Sequence, residues 1–567
     1  MKLTVSTLTV CALALTLLPT SNAQGSDVSD IELLKAKLAE QQKQIEVLRQ
    51  SVDSQQKLIE RLTAPAATPA AKPAEQAATQ PAAKAPGFTP VGGAVASATG
   101  ALPDLSPVAV SPKYSAQEPP QGAVTSSPLQ IQIGNVTITP VGFMDATAVW
   151  RNEDAGSGIG SSFGSVPFSN AVPGGKLSEF RFSPQNSRLG FRVDGNWKGW
   201  RFIGYNEFDF LGTSGSNAIG VTNGAFVPRL RLYWVNVRKG PLEILGGQSW
   251  SMLTPNRKGI SPLPGDLFYS QVMDVNYVLG LTWTRQPGFR FLVHAPKDVV
   301  TWGLSFEQPN QYMGGSSGGP QITLPTALSG LLGTQLDNTS TTYLSTPNVM
   351  PDIITKLAFD PAPRVHFEVA GLVRDFKVYN LTTGQPTSGD TFSKVGAGGS
   401  LNANFEVFKN FRLITNNFWS DGGGRYIFGQ APDLIIRSDG SISPIHAASM
   451  VQGFEANLTK KLMVWAYFGY IRVGQNTALD TNGTTKIGYG FLGSSNSNNH
   501  MEREYTFGYT HTIWKDAKYG ALSTIGQYEY LTRNPWYVAL NALNHASDST
   551  IYFDLRYTLP GGAPAAK

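Results

Sequence analysis

The sequence predicts an all-β protein: a transmembrane, 16-stranded antiparallel β-barrel, preceded by an N-terminal coiled-coil helix and a disordered linker. Three observations carry this. Charged residues make up only 15% of the 567-residue chain while aromatics reach 11%, and soluble domains average about 25% charged. From Leu129 onward apolar and polar residues alternate with period two, the signature of half-buried strands. Short and long connections between those strands alternate along the chain. A soluble sandwich has no reason to alternate them; a barrel in the outer membrane does, with tight periplasmic turns and long external loops.

Residues 1–23 read as a secretory signal peptide. Lys2 supplies the positive start, Leu3–Leu18 the apolar run, and Ser21-Asn22-Ala23 the small-residue cleavage site. Cys11, the single cysteine, falls in this leader. The mature chain is therefore expected to lack disulfides, cysteine-ligated zinc and a cysteine nucleophile. Residues 24–63 form the coiled-coil segment. Ile31, Leu38, Ile45, Val52 and Ile59 recur at one heptad position, and Leu34, Gln41, Leu48, Gln55 and Leu62 at the other. This unbroken 3-4 spacing commits the helix to associate with copies of itself. Residues 64–128 are rich in Ala and Pro, with too few large apolar side chains for a core, and read as an extended spacer.

Residues 129–567 are the barrel. Val300–Glu307, Val365–Gly371 and Ile551–Tyr557 alternate without error. Seventeen strand-like segments occur, but a barrel with both ends in the periplasm needs an even number. Leu281–Gln286 and Phe289–Ala295 are separated only by Pro287-Gly288, and merging them into one bulged strand restores the alternation. The sixteen strands then start near residues 136, 179, 201, 226, 242, 278, 300, 352, 365, 393, 411, 448, 462, 501, 519 and 548. Sixteen strands enclose an aqueous channel rather than a packed interior.

If apolar residues face lipid, the residues between them face the lumen. Leu189, Phe191 and Val193 pointing out leaves Arg188, Arg192 and Asp194 inside. Phe208 and Phe210 outside leaves Glu207 and Asp209 inside as counter-charges. Leu230, Leu232 and Trp234 outside leaves Arg229, Arg231 and Tyr233 inside; Arg374 and Arg556 also fall inside. One wall thus carries four arginines flanking two acids. For any single arginine a wall ion pair is as good an explanation as a transport role. The whole chain carries +5, and the barrel segment alone keeps that charge. A modest positive field in a low-dielectric pore enriches anions. Enzyme chemistry finds no support. The six histidines have no metal-ligand spacing, and no phosphate loop or nucleophile elbow occurs. The alternation makes His366 a lumen residue rather than a catalyst. No catalytic residue, metal, cofactor or nucleic-acid partner is expected.

The order of leader, heptads, Ala/Pro spacer and sixteen strands resembles the DcaP-like outer-membrane porins. Local motifs resemble that family too: Ser187-Arg188-Leu189-Gly190-Phe191, Asn206-Glu207-Phe208-Asp209-Phe210, Arg229-Leu230-Arg231, Gly247-Gln248-Ser249-Trp250-Ser251, Pro351-Asp352 before Lys356, and Gly371-Leu372-Val373-Arg374. The likeness is strongest in the first half of the barrel. It implies a homotrimeric channel in outer-membrane lipid for dicarboxylate-like organic anions. It also implies Arg188, Arg192, Arg229, Arg231, Lys356 and Arg374 as the anion path. Thr254–Asn276 becomes a constriction loop folded into the pore, with Arg257, Lys258 and Asp266. The chain departs from the usual aromatic C-terminus by running past Tyr557-Thr558-Leu559 into Pro560–Lys567.

Two rival readings are a phosphate- or sugar-preferring porin and a structural tether. In the tether, the coil holds a periplasmic or cell-wall partner and the barrel is only an anchor. The coil is expected to be separable from the barrel, which buries its own lipid-facing surface. Deleting residues 24–128 behind the leader should leave assembled barrels of unchanged heat-modified mobility and oligomeric state. Loss of folding in the truncated protein would make the coil an assembly element.

Overall fold

The computed structural model describes residues 127–212, 226–314, 321–331, 335–336, 348, 350–381, 388–427 and 431–560. The predicted leader, the heptad segment and nearly all of the linker lie outside the described residues, as does the C-terminal extension beyond residue 560.

Sixteen staves make the barrel. The first five are β1 (Val136–Arg151), β2 (Glu179–Ser183 continuing as Arg188–Trp197), β3 (Trp200–Gly212), β4 (Val227–Lys239) and β5 (Leu242–Trp250). Next come β6 (Arg285–His294), β7 (Val300–Glu307), β8 (Asp352–Ala362), β9 (Val365–Leu381), β10 (Gly389–Phe408) and β11 (Phe411–Asp421). The last are β12 (His446–Asn457), β13 (Leu462–Val473), β14 (Asn499–Asp516), β15 (Gly520–Pro535) and β16 (Ala546–Thr558). Each pairs antiparallel with its sequence neighbours, and β1 closes the ring on β16, with Phe143 opposite Thr558 and Arg151 opposite Thr550. β2 is one stave in two pieces, because both pieces pair with β1. Closure leaves no free sheet edge, as a spanning β-structure requires.

The alternation expected from the sequence sets the two faces. Leu189, Phe191, Phe289, Phe367, Phe507 and Phe553 are exposed on the outside, while the residues between them are buried. Short turns such as Lys198-Gly199, Gly240-Pro241 and Lys409-Asn410 close one end, and both ends of the barrel chain meet there. The long connections close the other end. Their apolar side chains, including Phe163, Met313, Ile322, Ile435 and Tyr489, share a buried cluster.

Two expectations are overturned. The sixth stave begins at Arg285, not near 278; Val278–Thr284 belongs to the preceding loop and is buried inside the barrel. Pro287 and Gly288 do lie within one stave, as the merged reading required. The second correction is on β4. Glu207 faces Leu232 across the ladder while Phe208 faces Leu230, so Arg231 is an extra residue. This bulge reverses the alternation beyond it. Leu232 and Trp234 point inward and are buried, whereas Tyr233 is exposed on the outer face. Trp234 stacks on Tyr205 at 5.5 Å. Trp234→Ala should therefore cost about 3–5 kcal/mol, as large aromatic deletions in packed cores do. Tyr233→Ala should cost a small fraction of that. Unfolding midpoints in detergent and denaturant measure the difference, and equal losses would contradict the bulged register.

Candidate functional site

The inner wall and the loop that crosses it form the candidate site. The loop runs from residue 251 to 284, longer at both ends than expected, and nearly all of it is buried. Its apolar side chains Leu263, Phe268, Tyr269, Met273, Tyr277 and Trp283 pack against inward residues from both halves of the barrel, among them Leu232, Trp234, Ile414, Trp465 and Tyr552. Trp250 at the end of β5 meets Tyr269, Tyr277 and Trp283 at ring separations of 5.3–5.8 Å. The expectation of an interior without packing is therefore corrected. At mid-barrel this loop supplies a core.

Irregular backbone inside a barrel needs hydrogen-bond partners. The wall supplies them. Loop N–H groups of Met252, Asn256, Gly259 and Leu279 donate to Glu307, Glu368, Asp360 and Glu504 at 2.6–2.9 Å. Gln271 N–H donates to the Tyr467 hydroxyl at 3.1 Å and Thr282 N–H to Asn416 Oδ1 at 3.0 Å. Met273 N–H donates to Gln527 Oε1. Gly469 on β13 is what lets Leu279 approach: a Cβ there would sit 2.1 Å from the Leu279 carbonyl oxygen.

All the predicted anion-path residues are on the inner wall, and each is ion-paired. Arg231, Arg188 and Arg229 form one network with Glu207 and Asp209. Arg231 Nε lies 2.7 Å from Glu207 Oε1 and its Nη1 2.9 Å from Asp209 Oδ2. Arg229 contacts Asp209 at 2.7 Å, and Arg188 contacts Glu207 at 3.3 Å. Arg192 forks onto Asp194 at 2.6 and 2.7 Å. Lys356 Nζ bridges Glu368, the Thr254 carbonyl and Asn256 Oδ1 at 2.9–3.1 Å. Arg374 pairs with Asp352 at 3.0 Å and with Asp433, from a long loop, at 2.8 Å.

The constriction residues separate. Arg257 is buried and forks onto Glu455 on β12 at 2.7 and 2.9 Å. Asp266 is buried and accepts from Ser261 at 2.8 Å. Lys258 sits at the loop's tip, exposed, at the short-turn end. His366 is buried between Asp360 at 2.9 Å and Glu368 at 3.2 Å, a wall group as the alternation implied. Among the described residues no cluster of His, Cys, Asp and Glu could hold a metal ion.

Sequence reasoning missed most of the counter-charges. It weighed the arginines against acids on adjacent strands and found an excess. Arg556 instead pairs with Asp145 across the barrel closure at 2.6 Å, and Arg374 and Arg257 pair with acids far off in sequence. Strand alternation had a usable signal for Glu368, two residues from His366. It had none for Asp433, which lies in a loop. The excess survives only locally, as three arginines on two acids. Within that network Arg188 Nε and Nη2 are buried without a partner.

A closed sixteen-stave barrel with an apolar outside and a charged, loop-crossed inside is the fold of an outer-membrane porin-type channel. The chain is similar to the outer membrane channel DcaP of Acinetobacter baumannii, with a TM-score of 0.53, 14% identity, and coverage of 75% of this chain and 98% of that one. It also matches the anion-selective porin from Comamonas acidovorans (TM-score 0.40, 13% identity, 75% and 99% covered). OmpT of Vibrio cholerae matches at TM-score 0.40 and 9% identity, with 76% and 99% covered. No protein-family model matches the chain, and no curated protein matches it in sequence. The likeness to DcaP shows the fold.

The Arg257–Glu455 pair ties the loop to β12 through an ionic contact. Replacing one member by a neutral residue strands the other charge in the interior, at a cost of about 3–5 kcal/mol. Arg257→Gln should therefore lower the unfolding midpoint, and Arg257→Gln with Glu455→Gln should recover most of the loss. Two single losses that simply add in the double variant would show that the charges do not depend on each other.

Proposed function

We propose that the protein is a passive outer-membrane channel for small hydrophilic solutes, preferring organic anions of the dicarboxylate kind and working as a homotrimer. The observation that carries the channel reading is the closed barrel whose inner wall bears buried charged and amide side chains alongside the apolar ones that meet the loop. The anion preference is supported by the local excess of guanidinium over carboxylate around Arg188 and by the barrel segment's net positive charge. Because the loop 251–284 buries these groups, solute flux requires that loop to yield, and the expected resting conductance is small. The same burial favours one rival, a barrel serving as an anchor for a periplasmic tether.

Planar-bilayer recordings separate the two. A channel conducts in three equal steps per inserted trimer; a protein that inserts and never conducts is an anchor. For selectivity, Arg188 is the informative residue. Glu207 keeps Arg231 and a 3.1 Å hydrogen bond from Tyr205 when Arg188 is neutralised. Replacing Arg229 and Arg231 together would instead strand Asp209 without either of its arginines. A unit charge at 4 Å is worth about 4 kcal/mol at an effective dielectric of 20, before screening. If ~1 kcal/mol of that survives, it changes the permeability ratio about fivefold. The wild-type pore should give an anion-selective reversal potential in a salt gradient. Arg188→Gln should move it towards zero, more at low salt than at high. An unchanged reversal potential would remove Arg188 from the anion path.

A further inference from the structure

Below the loop, at the short-turn end, a cavity opens between the loop tip and the starts and ends of β3–β8. On the porin topology this end faces the periplasm. Its floor and sides carry three acids, and each has a partner. Asp298 lies 2.6 Å from Arg238, Glu243 lies 3.0 Å from His294, and Asp360 accepts from Gly259 N–H at 2.9 Å and meets His366. Two cations on the same cavity are left over: Arg201 at the start of β3 and Lys258 on the loop tip, neither with an ion-pair partner among the described residues.

Two buried polar groups on the same wall also lack partners. Trp234 is 4% exposed and Asn236 6%, and both line the cavity. The indole Nε1–H of Trp234 and the Oδ1 of Asn236 have no hydrogen bond. A buried donor or acceptor left unmade is costly, so these two groups favour a ligand with a polar substituent that can reach them. Both groups are there because of the β4 bulge, which turned Trp234 and Asn236 inward. The rest of the lining is apolar, with Ile203, Ile260 and Leu263.

We infer that this cavity is a periplasm-facing binding site for a small amphipathic carboxylate. Arg201 and Lys258 take the anion, Ile203, Ile260 and Leu263 take an apolar body, and Trp234 and Asn236 take a hydroxyl or similar polar substituent. A site of this kind is concave and mostly apolar with a few convergent polar groups. It is separate from the mid-barrel arginines, and it rests on the channel reading only for the direction it faces.

The test uses the mature protein in detergent micelles, with 4-hydroxybenzoate as probe and ligand-observed NMR or isothermal titration as readout. Saturable binding is expected, at least tenfold tighter than for acetate, which lacks the apolar body, or for phenol, which lacks the charge. Arg201→Gln with Lys258→Gln should weaken it at least tenfold while the heat-modified mobility stays unchanged, since neither side chain holds a wall partner. Trp234→Phe, which keeps the ring and loses the N–H, should weaken it severalfold. Non-saturable uptake, equal binding of all three probes, or a double variant that binds as well as wild type would overturn the assignment. Because binding is read without current flow, a failure here is distinct from an absence of conductance, which bears on the channel reading alone.

Discussion

The interior of this barrel depends on the hydrogen-bond requirement of the irregular backbone that crosses it. The loop 251–284 cannot satisfy its own N–H groups the way a helix does. Glu307, Asp360, Glu368 and Glu504, on four different staves, each accept one. These carboxylates are therefore not free to balance the wall arginines alone. Lys356 shows the consequence: its ammonium meets Glu368 and two loop oxygens at once, joining wall and loop in one network.

Shape follows from the same constraint. For the wall carboxylates to reach the loop backbone, the loop must lie close to the wall, and small residues make room. Gly469 admits Leu279, and Gly280 turns away beside it with φ +86, a left-handed conformation that favours glycine. Gly303 faces Met252 and Ile260 in the same manner. The apolar side of the loop then packs on Trp465, Tyr467 and Ile525, inward residues that a water-filled channel would not hide. Loop and wall together form a packed layer. Above it lies the buried apolar cluster of the long loops, and below it the cavity around Lys258.

The charges are arranged so that few are left uncompensated in this low-dielectric layer. Breaking a buried pair costs far more than the pair itself contributes, so the pairs hold loop and barrel in one conformation. The exceptions are informative. Around Arg188 three guanidiniums share two carboxylates, and at the mouth Arg201 and Lys258 have no acid to themselves. These two places, one at mid-barrel and one at the short-turn end, are where positive charge is not matched one-to-one by carboxylates.

Much of this architecture was legible in the sequence because its signals are local. Period-two alternation, as in Val300–Glu307, needs only neighbouring residues to be read, and it placed Arg188, Glu207, Asp209 and Arg374 on strands facing inward. The alternation of short and long connections set the number of staves and the two ends. Neither signal could reveal the bulge at Arg231, which depends on how β3 and β4 slip against each other and which exchanged Trp234 for Tyr233. Nor could they trace the loop, since Val278–Thr284 reads as the start of a strand and only packing against β13 and β11 makes it irregular. The partners of the arginines were decided last of all. Asp145 meets Arg556 because the barrel closes, and Glu455 meets Arg257 because the loop crosses the lumen. Alternation is a property of adjacent residues, whereas charge compensation in a closed interior is settled only when distant segments are brought together.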